Sequence, residues 1–260
     1  MSKKAIMAVS FGTSYEETRK LTIEAFEQSL AEHFANLPLY RAWTSGMIIK
    51  KIRERDGIIV NKVSEALQQI KEDGFDEILV QPSHILEGME YEKIVEQLTL
   101  GKSDFESIKL GRGLLYDEDS YIEVSKAISD IFSDVTEKEA LLLVGHGSSH
   151  KMDISYEKLE KAMSDAGHKN FIIGTIEGNF DMEHAISKLK EISPDRVRLA
   201  PLLIVAGDHA LNDIGGDDED SYKMQLKAAG FDVKCVLKGL GEYRQIRDIF
   251  IRRAEHAKAL

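Results

Sequence analysis

A single cysteine in 260 residues, Cys235, leaves the chain no partner for an intramolecular disulfide and suits a reducing compartment. No stretch approaches the ~18 uninterrupted apolar residues of a membrane-crossing helix. After Met1-Ser2-Lys3-Lys4, the apolar stretch from Ala5 to Val9 is too short for a secretory signal and runs into Gly12 and then Glu16-Glu17. A soluble, cytoplasmic protein is expected. Positive charge is in deficit, with 34 Lys and Arg against 45 Asp and Glu and a net charge of -11. That balance opposes a general affinity for nucleic acid or an anionic membrane, since both are polyanions. No Gly-x-x-x-x-Gly-Lys-Ser/Thr loop occurs, so ATP-driven work is not expected. A Gly-x-Ser-x-Gly nucleophile elbow is also missing. Gly111-Arg112-Gly113 and Gly239-Leu240-Gly241 lack the third glycine of a dinucleotide fingerprint, and no organic cofactor is expected.

What the chain does contain is a repeat. Ala5 to Ser10 leads into Phe11-Gly12-Thr13-Ser14, and about 135 residues later Leu141 to Gly145 leads into His146-Gly147-Ser148-Ser149. Trp43-Thr44-Ser45-Gly46 aligns with Thr175-Ile176-Glu177-Gly178, and Pro82 through Gly88 to Glu90 aligns with Pro201 through Gly207 to His209.

Each copy alternates short apolar runs with helix-period segments, the mark of βα units and a parallel sheet. Strands are expected at Ala5 to Ser10, Pro38 to Trp43, Glu77 to Gln81, Ser107 to Leu110, Ala140 to Gly145, Asn170 to Thr175, Arg196 to Leu203 and Val233 to Leu237. Helices are expected between them, among them Tyr15 to Phe34, Val60 to Asp73, Met182 to Ile192 and a closing segment, Glu242 to His256. The fold class read from this pattern is α/β: two similar domains, 1–134 and 135–260, each a four-stranded parallel sheet flanked by helices. The polar stretch Asp130 to Glu139 is the expected linker, and the last helix could close either domain.

The copies differ where chemistry would sit. Phe11, Ser45 and Glu90 in the first correspond to His146, Glu177 and His209 in the second. Each of the latter falls at or after the carboxyl end of an expected strand. In a sheet of order 2-1-3-4 three such strands are neighbours and ligands bind beyond their carboxyl ends. Two imidazoles and a carboxylate form a ligand set for a first-row divalent metal with positions left open. The alternative for each residue alone is a solvated or hydrogen-bonded loop side chain. His84, after a strand, could face a cleft or simply pack; His33, His168, His184 and His256 are expected to be exposed. Asp217-Asp218-Glu219-Asp220 reads as a helix-start cap or a cation funnel. Arg41, Lys50, Lys51, Arg53 and Arg55 form the densest basic cluster, either a wall for a polycarboxylate or a solvated helix face.

The strings Ser10-Phe11-Gly12-Thr13-Ser14, Arg41 through Ile49, Gly145-His146-Gly147 and Ala206-Gly207-Asp208-His209-Ala210-Leu211-Asn212-Asp213 resemble the anaerobic sirohydrochlorin cobaltochelatases, ATP-independent chelatases of cobalamin biosynthesis with a ferrochelatase-like fold. The resemblance runs from Lys4 to the final helix. It implies two α/β domains around a tetrapyrrole cleft, with His146, Glu177 and His209 binding Co2+ as the substrate metal and His146 also accepting a proton. By position in the repeat, Glu90 becomes a second catalytic candidate. Ser10, Phe11, Ser45, His84 and Arg55 become candidates for binding sirohydrochlorin. A homo-oligomer is compatible with the sequence. The alternatives are a non-catalytic metal or haem carrier, a metal-dependent hydrolase, or a chelatase for Fe2+ or Ni2+.

Overall fold

The computed structural model describes residues 2–260. The chain packs as two compact units, one running to Leu114 and taking in Ile246–Leu260, the other Leu115–Gln245. The boundary therefore differs from the expected 134/135. Helix α6 (Glu118–Ile131) belongs to the second unit and α10 (Arg244–Glu255) almost wholly to the first. The stretch Asp130 to Glu139 lies within the second unit, running from the last turn of α6 through a loop at 132–138 to the first residue of the next strand. Arg198 holds it there by ion pairs with Asp134 at 2.5 Å and Glu139 at 2.9 Å.

The first unit is built on β1 (Lys4–Ser10), β2 (Leu39–Trp43), β3 (Asn61–Lys62), β4 (Glu77–Pro82), β5 (Ser107–Leu110) and β10 (Lys258–Ala259), ordered β10-β5-β4-β1-β2-β3. Ala5, Ile6, Met7, Ala8 and Val9 are all buried, as a central strand covered on both faces requires. The expected four strands form the parallel heart of the sheet, in the order 2-1-3-4. Two more join its edges: β3 runs parallel to β2, and β10 antiparallel to β5. Each extra strand has only two residues and carries no alternation that a sequence reading could detect. For the same reason the helix expected from Val60 begins later, as α4 (Val63–Glu72), because Asn61 and Lys62 are paired with β2. Val63, Ala66, Leu67 and Ile70 give α4 its buried stripe. The first helical segment is interrupted, with α1 (Glu16–Arg19) and α2 (Ala25–His33) separated by a π-helical stretch, Lys20–Glu24. Helices α3 (Gly46–Asp56) and α5 (Met89–Gly101) complete this unit with α10, which stacks Phe250 edge-on against Phe26 at 5.4 Å.

The second unit repeats the central pattern. Its strands β6 (Glu139–Gly145), β7 (Phe171–Thr175), β8 (Arg196–Pro201) and β9 (Val233–Cys235) lie in the order β7-β6-β8-β9, all parallel, again 2-1-3-4. Helices α6, α7 (Ile154–Asp165), α8 (Met182–Ile192) and α9 (Tyr222–Ala228) flank it. The edge strand β7 does not offer its outward N–H groups to another chain. Phe171 donates to His168 O, Ile173 to the Glu160 carboxylate at 2.8 Å and Thr175 to Phe180 O. Two histidines expected to be exposed are engaged here: His168 stacks on Phe171, and His184 is half-buried edge-on to Phe180.

Candidate functional site

The backbone confirms the internal alignment bond by bond. In the first unit Thr44 N–H donates to Ser10 O, Ser45 N–H to Phe11 O and Ser83 N–H to Val9 O; in the second Ile176 donates to Gly145 O, Glu177 to His146 O and Leu202 to Val144 O. The third position matches as well. Gly88 O accepts from Glu92, and Gly207 O from Leu211. Glu90 and His209 thus each lie two residues into a helical turn that starts on an equivalent glycine.

In the second unit, His146 follows β6 directly, Glu177 follows β7 by two residues, and His209 caps a π-helical turn, Ala210–Ile214, beyond β8. The two imidazoles meet edge to face with ring centres 4.8 Å apart. Their Nδ1 atoms are both engaged. That of His146 donates to the Gly147 carbonyl at 2.9 Å, and that of His209 to an Asp213 carboxylate oxygen at 2.6 Å. Those acceptors carry no proton to give, so Nδ1 holds the hydrogen and Nε2 of each neutral ring presents its lone pair. This is the tautomer a metal-binding histidine needs. Glu177 is exposed and joined to His146 through its backbone. Among the described residues no three His, Cys, Asp or Glu side chains are gathered as a metal-holding group. The structure therefore unites the two histidines and places the Glu177 carboxylate on the adjoining loop.

That loop pair has a buried support that sequence reasoning missed. Asp153 is 4% exposed and accepts from Ser148 N–H at 2.9 Å, and the Tyr156 hydroxyl accepts from Gly147 N–H at 3.3 Å. His150 caps the next turn by accepting from Met152 N–H.

The first-unit candidates sit at the carboxyl edge of the first sheet. Ser10 is buried and its hydroxyl lies 2.9 Å from that of Ser83, whereas Phe11 is 48% exposed. Ser45 caps α3 by accepting from Ile48 N–H. Both ring nitrogens of His84 are buried without a partner, and burial pushes its pKa down to about 4, so the ring is neutral. Burial pushes the neighbouring Glu90 carboxyl up, but the Lys93 ammonium at 2.5 Å and other hydrogen bonding outweigh it and leave it below its ordinary value.

The basic residues do not form one wall. Arg41 is turned inward to the buried carboxylate of Glu27. Arg55 pairs with Asp56 at 2.6 Å and donates to Ser14 O. Lys51 and Arg53 are exposed, and Lys50 lies 3.8 Å from Glu54. In the acidic run, Asp217 pairs with Lys223 at 2.7 Å ahead of α9. No helix among the described residues is long and apolar enough to cross a membrane.

A family model described as cobalt chelatase (CbiK) matches residues 4–259. The chain is 38% identical over 255 residues to a sirohydrochlorin cobaltochelatase of Salmonella typhimurium, covering 98% of this chain and 96% of that one. It is 28% identical over 258 residues to the sirohydrochlorin cobaltochelatase CbiKC of Nitratidesulfovibrio vulgaris, covering 96% and 89%. Among solved structures, SirB from Bacillus subtilis with Fe3+ superposes with a TM-score of 0.67 at 16% identity, covering 98% of this chain and 95% of SirB, which speaks to the fold.

Proposed function

Because the chain belongs to the cobalt chelatase (CbiK) family, we propose that it inserts Co2+ into sirohydrochlorin and that His146, Glu177 and His209 hold the ion before transfer. The observation that carries the site is the pair of imidazoles 4.8 Å apart, each with Nδ1–H engaged and Nε2 left to bind. Insertion exchanges two pyrrole N–H protons for one divalent ion, so two protons must leave as the ring nitrogens replace the ion's earlier ligands. A small set of imidazole and carboxylate ligands leaves positions for incoming nitrogens, whereas a closed four-ligand site would trap the metal.

His146 is the proton acceptor in this reading, since an imidazole whose Nε2 carries a lone pair can take a pyrrole proton and pass it on. Glu90 suits a different task. Its lowered pKa keeps it ionised, so it attracts the cation better than it retains a proton. Of the first-unit candidates Phe11 alone presents an exposed side chain to the macrocycle; the Ser10 hydroxyl and the His84 ring nitrogens are buried and Ser45 caps α3, so these three shape the edge from beneath. Arg55 is already engaged with Asp56 and Ser14, so the exposed Lys50, Lys51 and Arg53 are the better partners for the substrate carboxylates. The free thiol of Cys235 is compatible with a cytoplasmic setting.

The test is the His146→Ala variant, mixed with Co2+ and sirohydrochlorin and followed by absorption over many turnovers. Loss of insertion with an unchanged melting temperature is expected; full activity overturns the assignment. Parallel reactions with Fe2+ and Ni2+ measure the metal preference, which intrinsic affinity alone does not set.

A further inference from the structure

The two facing imidazoles are held by unlike partners. His146 donates to the carbonyl of its own neighbour, Gly147, a neutral dipole in a loop; His209 donates to a full carboxylate, Asp213, at 2.6 Å. A hydrogen bond to a charged acceptor is roughly twice as strong as a neutral one and makes the opposite ring nitrogen a better donor to metal.

The frame that brings Asp213 to His209 is built rather than incidental. Both lie on the π-helical turn Ala210–Ile214, with His209 as its N-terminal cap, and Gly215 N–H closes the turn on Ala210 O at 3.0 Å. Ala210 and Ile214 are fully buried and anchor the turn, leaving His209 and Asp213 toward solvent. Just beyond it, Ser221, only 1% exposed, donates to Gly216 O at 2.9 Å, and a Cβ on Gly216 would stand 2.2 Å from Asn212 O. A π-helical turn is rare and is frequently found at functional sites.

Stability does not explain the pair. The His209 and Asp213 side chains are 48% and 44% exposed, and ion pairs that open to water contribute little to folding.

We propose that Asp213 is a positioning residue for metal insertion. It fixes His209 in the Nδ1–H tautomer, aims Nε2 at the ion and makes His209 the ligand that retains Co2+. This rests on the reading of His209 as a ligand, and the experiment separates the two.

Co2+ alone is titrated into metal-free wild type, Asp213→Ala, Asp213→Asn and His209→Ala, with melting temperature recorded for each and the nitrogen-15 shifts of the His209 ring for the three that keep it. Asp213→Ala is expected to melt as wild type does, to bind Co2+ about 10–100-fold more weakly and to lose the Nδ1–H tautomer. Asp213→Asn, which keeps an acceptor oxygen without the charge, falls between. If His209→Ala binds Co2+ like wild type, the ligand reading fails. If His209→Ala loses binding while Asp213→Ala stays within twofold of wild type with its tautomer unchanged, only the role of Asp213 fails.

Discussion

Gly147 and Glu177 touch backbone to backbone: a Cβ on Gly147 would stand 1.7 Å from the Glu177 carbonyl oxygen. Gly147 also has φ of 76°, where side chains are strained. The contact holds the loop after β6 against the loop after β7, and so sets where His146 and Glu177 lie relative to each other.

Gly147→Ala should therefore fail twice, through strain and through collision with backbone that cannot swing aside. A loss of about 2–4 kcal/mol in stability is expected, together with loss of Co2+ binding. Gly57→Ala is the control. Gly57 has φ of 68° but nothing within 4 Å of an added Cβ, so it should cost only about 1 kcal/mol and leave binding intact. Denaturant melts and cobalt titrations of both variants check this, and equal losses would remove the contact as the cause.

Arg41 and the α3 lysines should separate structure from binding. The Glu27 side chain is 6% exposed; burial pushes its carboxyl up, and the Arg41 guanidinium offsets part of that. Arg41→Met would strand the carboxylate. Because Arg41 itself is 33% exposed, the expected loss is about 3 kcal/mol, at the low end for a broken buried pair. Reversing Lys50, Lys51 and Arg53 should instead leave the melting temperature alone and raise the KM for sirohydrochlorin several-fold. An unchanged KM would exclude those side chains from substrate binding.

His84 makes the fold sensitive to acid. Its folded pKa of about 4 lies below the ordinary value of 6.5, so between those limits the unfolded chain binds more protons and stability rises with pH. The penalty is absent at pH 7, begins as pH falls through 6.5 and is complete near 4; by pH 5 it amounts to about 2 kcal/mol. His84→Phe removes the titrating group and breaks no hydrogen bond, since neither ring nitrogen has a partner. Its melting temperature should drop less between pH 7 and pH 5 than that of the parent, and an equal drop would assign the acid sensitivity elsewhere.

Much of this was legible before any coordinates. The apolar runs locate the eight central strands because a parallel strand covered on both faces must be apolar throughout. The offset of the repeat pairs Phe11 with His146 and Ser45 with Glu177, and the backbone hydrogen bonds repeat that pairing. Two-residue strands such as Lys258–Ala259 escaped because edge pairing requires backbone alone. The π-helical turns escaped because a stretch of 5 residues is too short to establish a period of its own. Asp213 was in plain view four residues from His209, but that spacing is common on any surface, and only the 2.6 Å hydrogen bond singles it out.

By itself, then, the sequence determined the α/β class, the repeat and the identity of the histidines that follow strands, all of which rest on local polarity and spacing; the order of the strands in each sheet came from the tertiary structure. Tertiary structure decided which helix joins which unit, since an amphipathic face such as that of α10 specifies burial and not the partner. It also decided which charged groups are free to act. Arg41 and Arg55 looked like substrate ligands in the chain and are occupied in the fold, because a charge near a buried or fixed carboxylate pairs with it before it can meet anything else.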